Sequence, residues 1–256
     1  GQGNDTYTHT GASGVSTVVA TKGNNTITTG GGADIITLGT GTDIVTAGAG
    51  NDTIVGTGPS VASGVTTSRN FTSADTINGG TGTDILEIST DGFTLVDTDF
   101  AGLTSVETLT STAGARMTSA TLGTKAQAAG IATVTLADTT AVDKLVVSAD
   151  FTNALTVNLD ADNTANTVDA SASSATVTIV AGDDELDTTA STLKGGSGSS
   201  DVLKIATGGN DLVVADSANW SGIETFTTTG NNAFGIALND GANAAGGSIT
   251  VNPESL

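Results

Sequence analysis

Asp34, Asp43 and Asp52 stand nine residues apart, and each follows a glycine by two places: Gly32, Gly41 and Gly50. Two residues after each acid comes a branched apolar residue, Ile36, Val45 and Ile54. Carboxylates beside the open carbonyls of glycine-rich turns form an all-oxygen donor set, which suits the hard cation Ca²⁺. An acidic surface that only keeps a protein soluble would also use aspartate, but it needs no fixed spacing. The spacing therefore decides, and it has to be counted.

Extended backwards, the frame of nine gives ATKGNNTIT (20–28), TGGGADIIT (29–37), LGTGTDIVT (38–46) and AGAGNDTIV (47–55). The sixth place holds Asn25, Asp34, Asp43 and Asp52, and the eighth holds Ile27, Ile36, Val45 and Ile54. A separate copy, GQGNDTYT, opens the chain with Asp5 and Tyr7. After an insertion over 56–69, NFTSADTIN resumes the frame at Asp75, and GGTGTDILE completes it with Gly80, Gly82 and Asp84.

These units resemble the haemolysin-type, or RTX, calcium-binding nonapeptide repeats. The resemblance implies an all-β chain: a parallel β-roll or β-solenoid with calcium-binding Gly/Asp turns and little or no helix. It implies Ca²⁺ as cofactor, held by Asp5, Asn25, Asp34, Asp43, Asp52, Asp75 and Asp84. The turn glycines that go with them are Gly30, Gly32, Gly39, Gly41, Gly48, Gly50, Gly80 and Gly82. It further implies two nonapeptides per coil, so Asp34 and Asp52 line one edge while Asn25 and Asp43 line the other. Asn25 brings one oxygen and no charge. Weaker units place Asp184 after Gly182 and Asp211 after Gly209.

Composition agrees with a thin structure. Aromatic residues are 3% and charged residues 13% of 256, so large side chains cannot fill a wide core, whereas Ile, Val and Leu can line a solenoid one side chain deep. The net charge of −20, with five Lys and two Arg, argues against nucleic acid, which is bound through clustered cations. Without cysteine there are no disulfides or thiolate metal sites, and no apolar run reaches the length of a membrane span. An opening without Met, inside a motif, reads as a fragment or processed product.

A longer repeat encloses the short one. Residues 79–110 align with 195–228, placing Asp84 with Asp201, Leu86 with Leu203 and Glu107 with Glu224. Asp201 joins the metal candidates on that alignment. Glu107 and Glu224 each read either as a further ligand or interface acid or, the favoured reading, as a solvated acid at a strand edge. Three regions follow: a calcium-binding β-roll over 1–90, a β-solenoid continuation over 91–194, and a truncated copy of 79–135 over 195–256. TKAQAAG (124–130) is the one helix-like stretch.

Other chemistry finds little support. DADNTANTVDAS has no central glycine or terminal glutamate for an EF-hand, and His9 has no second histidine to make a zinc site. The pairs Asp97/Asp99 and Asp183/Asp184 read as solvated or calcium-linked acids rather than a glycosidase dyad. The chain is therefore expected to be no enzyme. The wider resemblance is to calcium-dependent bacterial surface-layer proteins. It implies a secreted structural protein at the cell surface, with a homo-oligomer or lattice and cell-surface polysaccharide as partners. The alternatives are an RTX adhesin stalk and the calcium-folded C-terminal tail of a secreted hydrolase.

Overall fold

The structure is a computed structural model that describes residues 2–58, 69–138, 141–159, 164–182, 186, 191–198, 200–206, 219–229 and 250–253. Within them the strands are short and every pairing between them is parallel. Short parallel strands joined by tight turns are what a coil of two nonapeptides gives, because each unit supplies one turn and one strand.

Three sheets result. The longest has eleven strands: Thr17–Val19, Ile35–Thr37, Thr53–Gly56, Ile85–Ile88, Thr108–Ser111, Thr133–Leu136, Leu155–Leu159, Val177–Gly182, Val202–Ala206, Thr225–Thr229 and Thr250–Pro253. Over the early coils it faces five strands, Thr6–Thr8, Thr26–Thr28, Ile44–Ala49, Thr76–Thr81 and Leu103–Thr104. Later coils close instead on six: Phe93–Leu95, Met117–Leu122, Lys144–Val147, Thr167–Asp169, Thr192–Lys194 and Trp220–Ser221. The described residues thus form a nearly all-β parallel roll, with no closed barrel among them.

Side-chain alternation fixes the register. Val18, Ile36, Ile54, Leu86, Leu109, Val134, Val157, Ile179, Leu203 and Phe226 stand in one in-register column of the long sheet. All but Val18 are buried, and their strand neighbours Thr108, Thr133, Thr156 and Thr178 point outward. On the five-stranded sheet Tyr7, Ile27, Val45, Ile77 and Leu103 form the matching column. Each fully buried aliphatic side chain contributes roughly 1.5–3 kcal/mol. With only a few per coil, stability has to come from stacking many coils.

The exchange of one facing sheet for another occurs between Ile88 and Thr108. Within that stretch Phe93–Leu95 starts the six-stranded sheet and Leu103–Thr104 ends the five-stranded one. An α-helix, Thr124–Ala129, packs on Leu103–Thr104 and on the 3-10 turn Asp97–Phe100, burying Ala126 and Ala129. It covers the edge that the ended sheet would otherwise leave open. The helix is the one expected over 124–130. Gly130 closes it in the left-handed region at φ +105°. Its first turn is capped from another coil, since Asp97 Oδ1 accepts the N–H groups of Gly123, Lys125 and Ala126 at 2.8–3.1 Å. That is the role of Asp97. Its neighbour Asp99 accepts instead from Arg69 Nη2 and the Val96 N–H.

Candidate metal centre

The turns that precede the strands hold the candidate ligands. Gly32, Gly41, Gly50 and Gly82, each two places before an aspartate, have φ between +116° and +139°. L-residues do not adopt this backbone without strain, which explains the glycine in the fourth place of each unit. The turns also stack closely. A Cβ on Gly50 would collide with the Gly32 carbonyl, and one on Gly82 with the Gly50 carbonyl. Gly48 and Gly80 stack in the same way on Gly30 and Gly48.

Stacked turns bring the acids into two ladders. On the edge leading into the long sheet, the Ser16 N–H donates to Asp34 Oδ1 (2.5 Å), Asp34 N–H to Asp52 Oδ1 (2.7 Å) and Asp52 N–H to Asp84 Oδ1 (2.8 Å). The Asp84 N–H donates in turn to Glu107 Oε2 (2.8 Å). On the opposite edge Asp5 N–H donates to Asn25 Oδ1, Asn25 N–H to Asp43 Oδ1 and Asp43 N–H to Asp75 Oδ1. Asp34 and Asp52 thus share one edge and Asn25 and Asp43 the other. Asp34, Asp43, Asp52, Asp75 and Asp84 are at most 1% exposed, Asn25 is buried, and Asp5 lies exposed at the ladder's end.

The edges differ in what the second carboxylate oxygen meets. Asp43 Oδ2 accepts from the Gly39 N–H (3.1 Å) and Asp75 Oδ2 from the Thr72 N–H (2.7 Å). On the other edge Oδ2 of Asp34, Asp52 and Asp84 is buried with no hydrogen-bond donor. A buried carboxylate oxygen without a donor is costly unless a cation meets it. Burial accordingly raises the carboxyls of Asp52 and Asp84 above the usual range. N–H donation from Asp34 and Asp52 respectively pulls them back, and the neighbouring charges, Asp34 for the first and Asp52 with Glu107 for the second, push them up again. Asp75 is raised by burial in the same way, against its N–H donors.

The donor set fits Ca²⁺. Among the described residues no three His, Cys, Asp or Glu side chains converge. A cation on this edge would therefore take one carboxylate per turn and complete its shell with backbone carbonyls, as hard oxygen-seeking ions do.

Sequence reasoning placed some residues differently or missed them. Glu107 and Glu224 are not solvated strand-edge acids: both are half-buried, and each accepts the N–H of the aspartate one coil before, Asp84 and Asp201. A further ladder on the six-stranded side was not anticipated. There the Met117 N–H donates to Asp143 Oδ1, and the Asp143 N–H to Asn166 Oδ1 (2.8 Å). Asp143, Asn166 and Glu107 each sit two residues before an inward aliphatic, as Asp34 does, and that pattern without its glycines was the available signal. Asp184 and Asp211 lie outside the described residues. His9 is a loop residue with Nδ1 3.0 Å from Ser16 Oγ. No helix among the described residues is long and apolar enough to cross a membrane.

Comparison with known families bears on the same turns. No curated protein and no solved structure matches the chain. Residues 10–45, 39–58 and 72–87 match the family described as RTX calcium-binding nonapeptide repeat, in four copies. Those segments contain both stacked edges of the early coils, from Ser16 to Asp84. The early coils of this chain are RTX calcium-binding nonapeptide repeats.

Proposed function

We propose that this chain is a secreted structural protein that folds on calcium and assembles into a cell-surface layer, with no catalytic role of its own. One observation carries the reading: Oδ2 of Asp34, Asp52 and Asp84 stand buried along one edge with nothing to donate to them. In a chain of net charge −20 such a row opposes compaction until a divalent cation joins it. Binding free energy then becomes folding free energy. Extracellular calcium modules have Kd of about 10⁻⁴–10⁻³ M. Sites of that strength stay empty in the cytosol and fill outside, which suits export of an unfolded chain through a type I pathway. RTX repeat proteins are typically secreted.

The lattice is favoured by the shape of the fold. Parallel coils extend far beyond the nonapeptides, as in a spacer or wall element, and the partners would be further copies of the chain and cell-surface polysaccharide. The test is a calcium titration followed in parallel by circular dichroism and by particle size, with electron microscopy of the product. Calcium-dependent folding with ordered two-dimensional sheets is expected. A chain that folds fully without calcium overturns the calcium reading. Folded single particles that attach to cells point instead to an adhesin stalk. Hydrolysis by a longer form carrying H-E-x-x-H or G-x-S-x-G points to an enzyme tail.

A further inference from the structure

The residue two places before each inward member of the long sheet's column forms a row of its own. Read along the coils it runs Asp34, Asp52, Asp84, Glu107, then Ala132, Leu155 and Val177, and then Asp201 and Glu224. Three neutral positions in this row thus separate two acidic stations. The second station lies outside every segment that matches the nonapeptide family.

The two stations share their construction. Val177 N–H donates to Asp201 Oδ1 (2.7 Å) and Asp201 N–H to Glu224 Oε2 (2.9 Å), as Asp52 and Asp84 N–H donate to Asp84 and Glu107. The turn before each glutamate passes through a left-handed residue, Ser105 at φ +51° and Gly222 at φ +64°. Its carbonyl presses on a glycine of the preceding coil, Gly79 in one case and Gly195 in the other.

Asp201 is 1% exposed, and its Oδ2 has no hydrogen-bond partner. Burial raises the Asp201 carboxyl, and the neighbouring Gly196 N–H partly offsets that rise. Around the point that a Cβ on Gly196 would occupy stand three oxygens: the Ser173 and Ala175 carbonyls at 2.8 Å and Asp201 Oδ2 at 3.6 Å. The Ser173 carbonyl already accepts the Ser197 N–H and hydroxyl (2.6 and 3.0 Å), which leaves the buried Asp201 Oδ2 and the Ala175 carbonyl, with a second carboxylate on the next coil, as the cradle for a hard divalent cation.

We infer that Asp201 and Glu224, with the carbonyl of Ala175, form a further divalent-cation site outside the nonapeptide block. Asp201 Oδ2 is the direct ligand. Glu224 holds Asp201 from the next coil and adds the second negative charge. The site does not depend on the nonapeptide edge, since five strand spacings of about 4.8 Å place Asp84 roughly 24 Å away.

That separation supplies the experiment. Trp220 is the chain's one tryptophan and lies two residues before Gly222. The full chain, folded in calcium, is exchanged with terbium and excited at the red edge of tryptophan absorption. Terbium emission sensitised by Trp220 and displaced by added calcium is expected. Asp201→Asn and Glu224→Gln keep the oxygens that accept from Val177 and Asp201, yet each should weaken this signal's terbium affinity roughly tenfold or more. Asp52→Asn should leave it unchanged. Gly196→Ala fills the cradle without touching a carboxylate, and must give the same loss if Asp201→Asn does not fold. No sensitised emission from the folded chain overturns the site. So does a signal indifferent to these substitutions, or one lost equally in Asp52→Asn. Calcium-dependent folding, read separately by circular dichroism, tests the nonapeptide edge, and its failure would leave the Trp220 signal in place.

Discussion

Asp34 donates its backbone N–H to Oδ1 of Asp52 at 2.7 Å, although the two stand 18 positions apart in the chain. One coil's main chain is thereby held by the next coil's side chain. The same bond fixes the carboxylate so that its other oxygen is left for a cation. Structure and ligation are therefore not separable at these residues: replacing the aspartate removes both a stacking contact and a charge.

Asp43 gives the simplest measure of the stacking contact. Its carboxylate accepts from Asn25 N–H, Asn25 Nδ2 and Gly39 N–H, all in a buried turn. Asp43→Ala leaves these donors unsatisfied, each at about 1–3 kcal/mol, so a total loss of roughly 3 kcal/mol or more is expected. Asp91 is exposed and meets Arg116, through its N–H at 3.2 Å and its guanidinium at 4.0 Å. Asp91→Ala should cost less than about 1 kcal/mol. Denaturant melts in saturating calcium give both numbers, and equal losses would contradict the ladder.

How much of this was legible follows from periodicity. In the early coils Ile27, Ile36, Val45 and Ile54 recur at nine because each unit is one turn and one strand, so the frame, the parallel roll and the Asp34–Asp52 edge can be read directly. Beyond Leu86 the register pairs it with Leu109, then Val134, Val157 and Ile179, at intervals that change from coil to coil. Turns of variable length carry no fixed glycine, so the phase is lost and Asp143 and Asn166 are hidden. Glu107 was misread because its longer side chain reaches back to Asp84 from a coil with no nonapeptide. The exchange of facing sheets leaves no local signal, being a choice of partner rather than of conformation.

The unequal edges predict unequal calcium affinities. Asp52→Asn keeps an oxygen for the Asp34 N–H but removes the charge from a row whose Oδ2 atoms have no donor. Asp75→Asn removes a charge whose Oδ2 already accepts from Thr72. Isothermal titration with calcium should show a loss of about tenfold or more for Asp52→Asn and a smaller one for Asp75→Asn. The reverse order would mean that the satisfied edge is the binding edge.

Gly50 tests the turn itself. At φ +131°, with the Gly32 carbonyl where a Cβ would go, Gly50→Ala meets both strain and collision. A loss of about 2–3 kcal/mol is expected. Gly114 has φ +80° but open space around it, so Gly114→Ala should pay only the conformational cost, about 1 kcal/mol. Thermal melts of the two variants separate strain from stacking, and a Gly50→Ala as mild as Gly114→Ala would remove the collision from the account.

The calcium-free chain should respond to acid in the opposite sense from the loaded one. Burial raises the folded-state carboxyls of Asp52, Asp75, Asp84 and Asp201 above their unfolded values, their N–H donors only partly offsetting it. A group raised in this way contributes stability that is fully present below the unfolded pKa, about 3.9, and is lost as pH rises through the folded pKa. At neutral pH without calcium these carboxylates are charged, buried and close to one another, so chelation should abolish most of the β-sheet dichroism. Lowering the pH of the same calcium-free sample towards about 4 should restore part of it by protonating the row. With calcium present the acid works against folding, because ligation requires the ionised form. Circular dichroism over pH, with and without calcium, should therefore give curves of opposite slope between about pH 7 and 4. Parallel curves would show that the buried row does not govern folding.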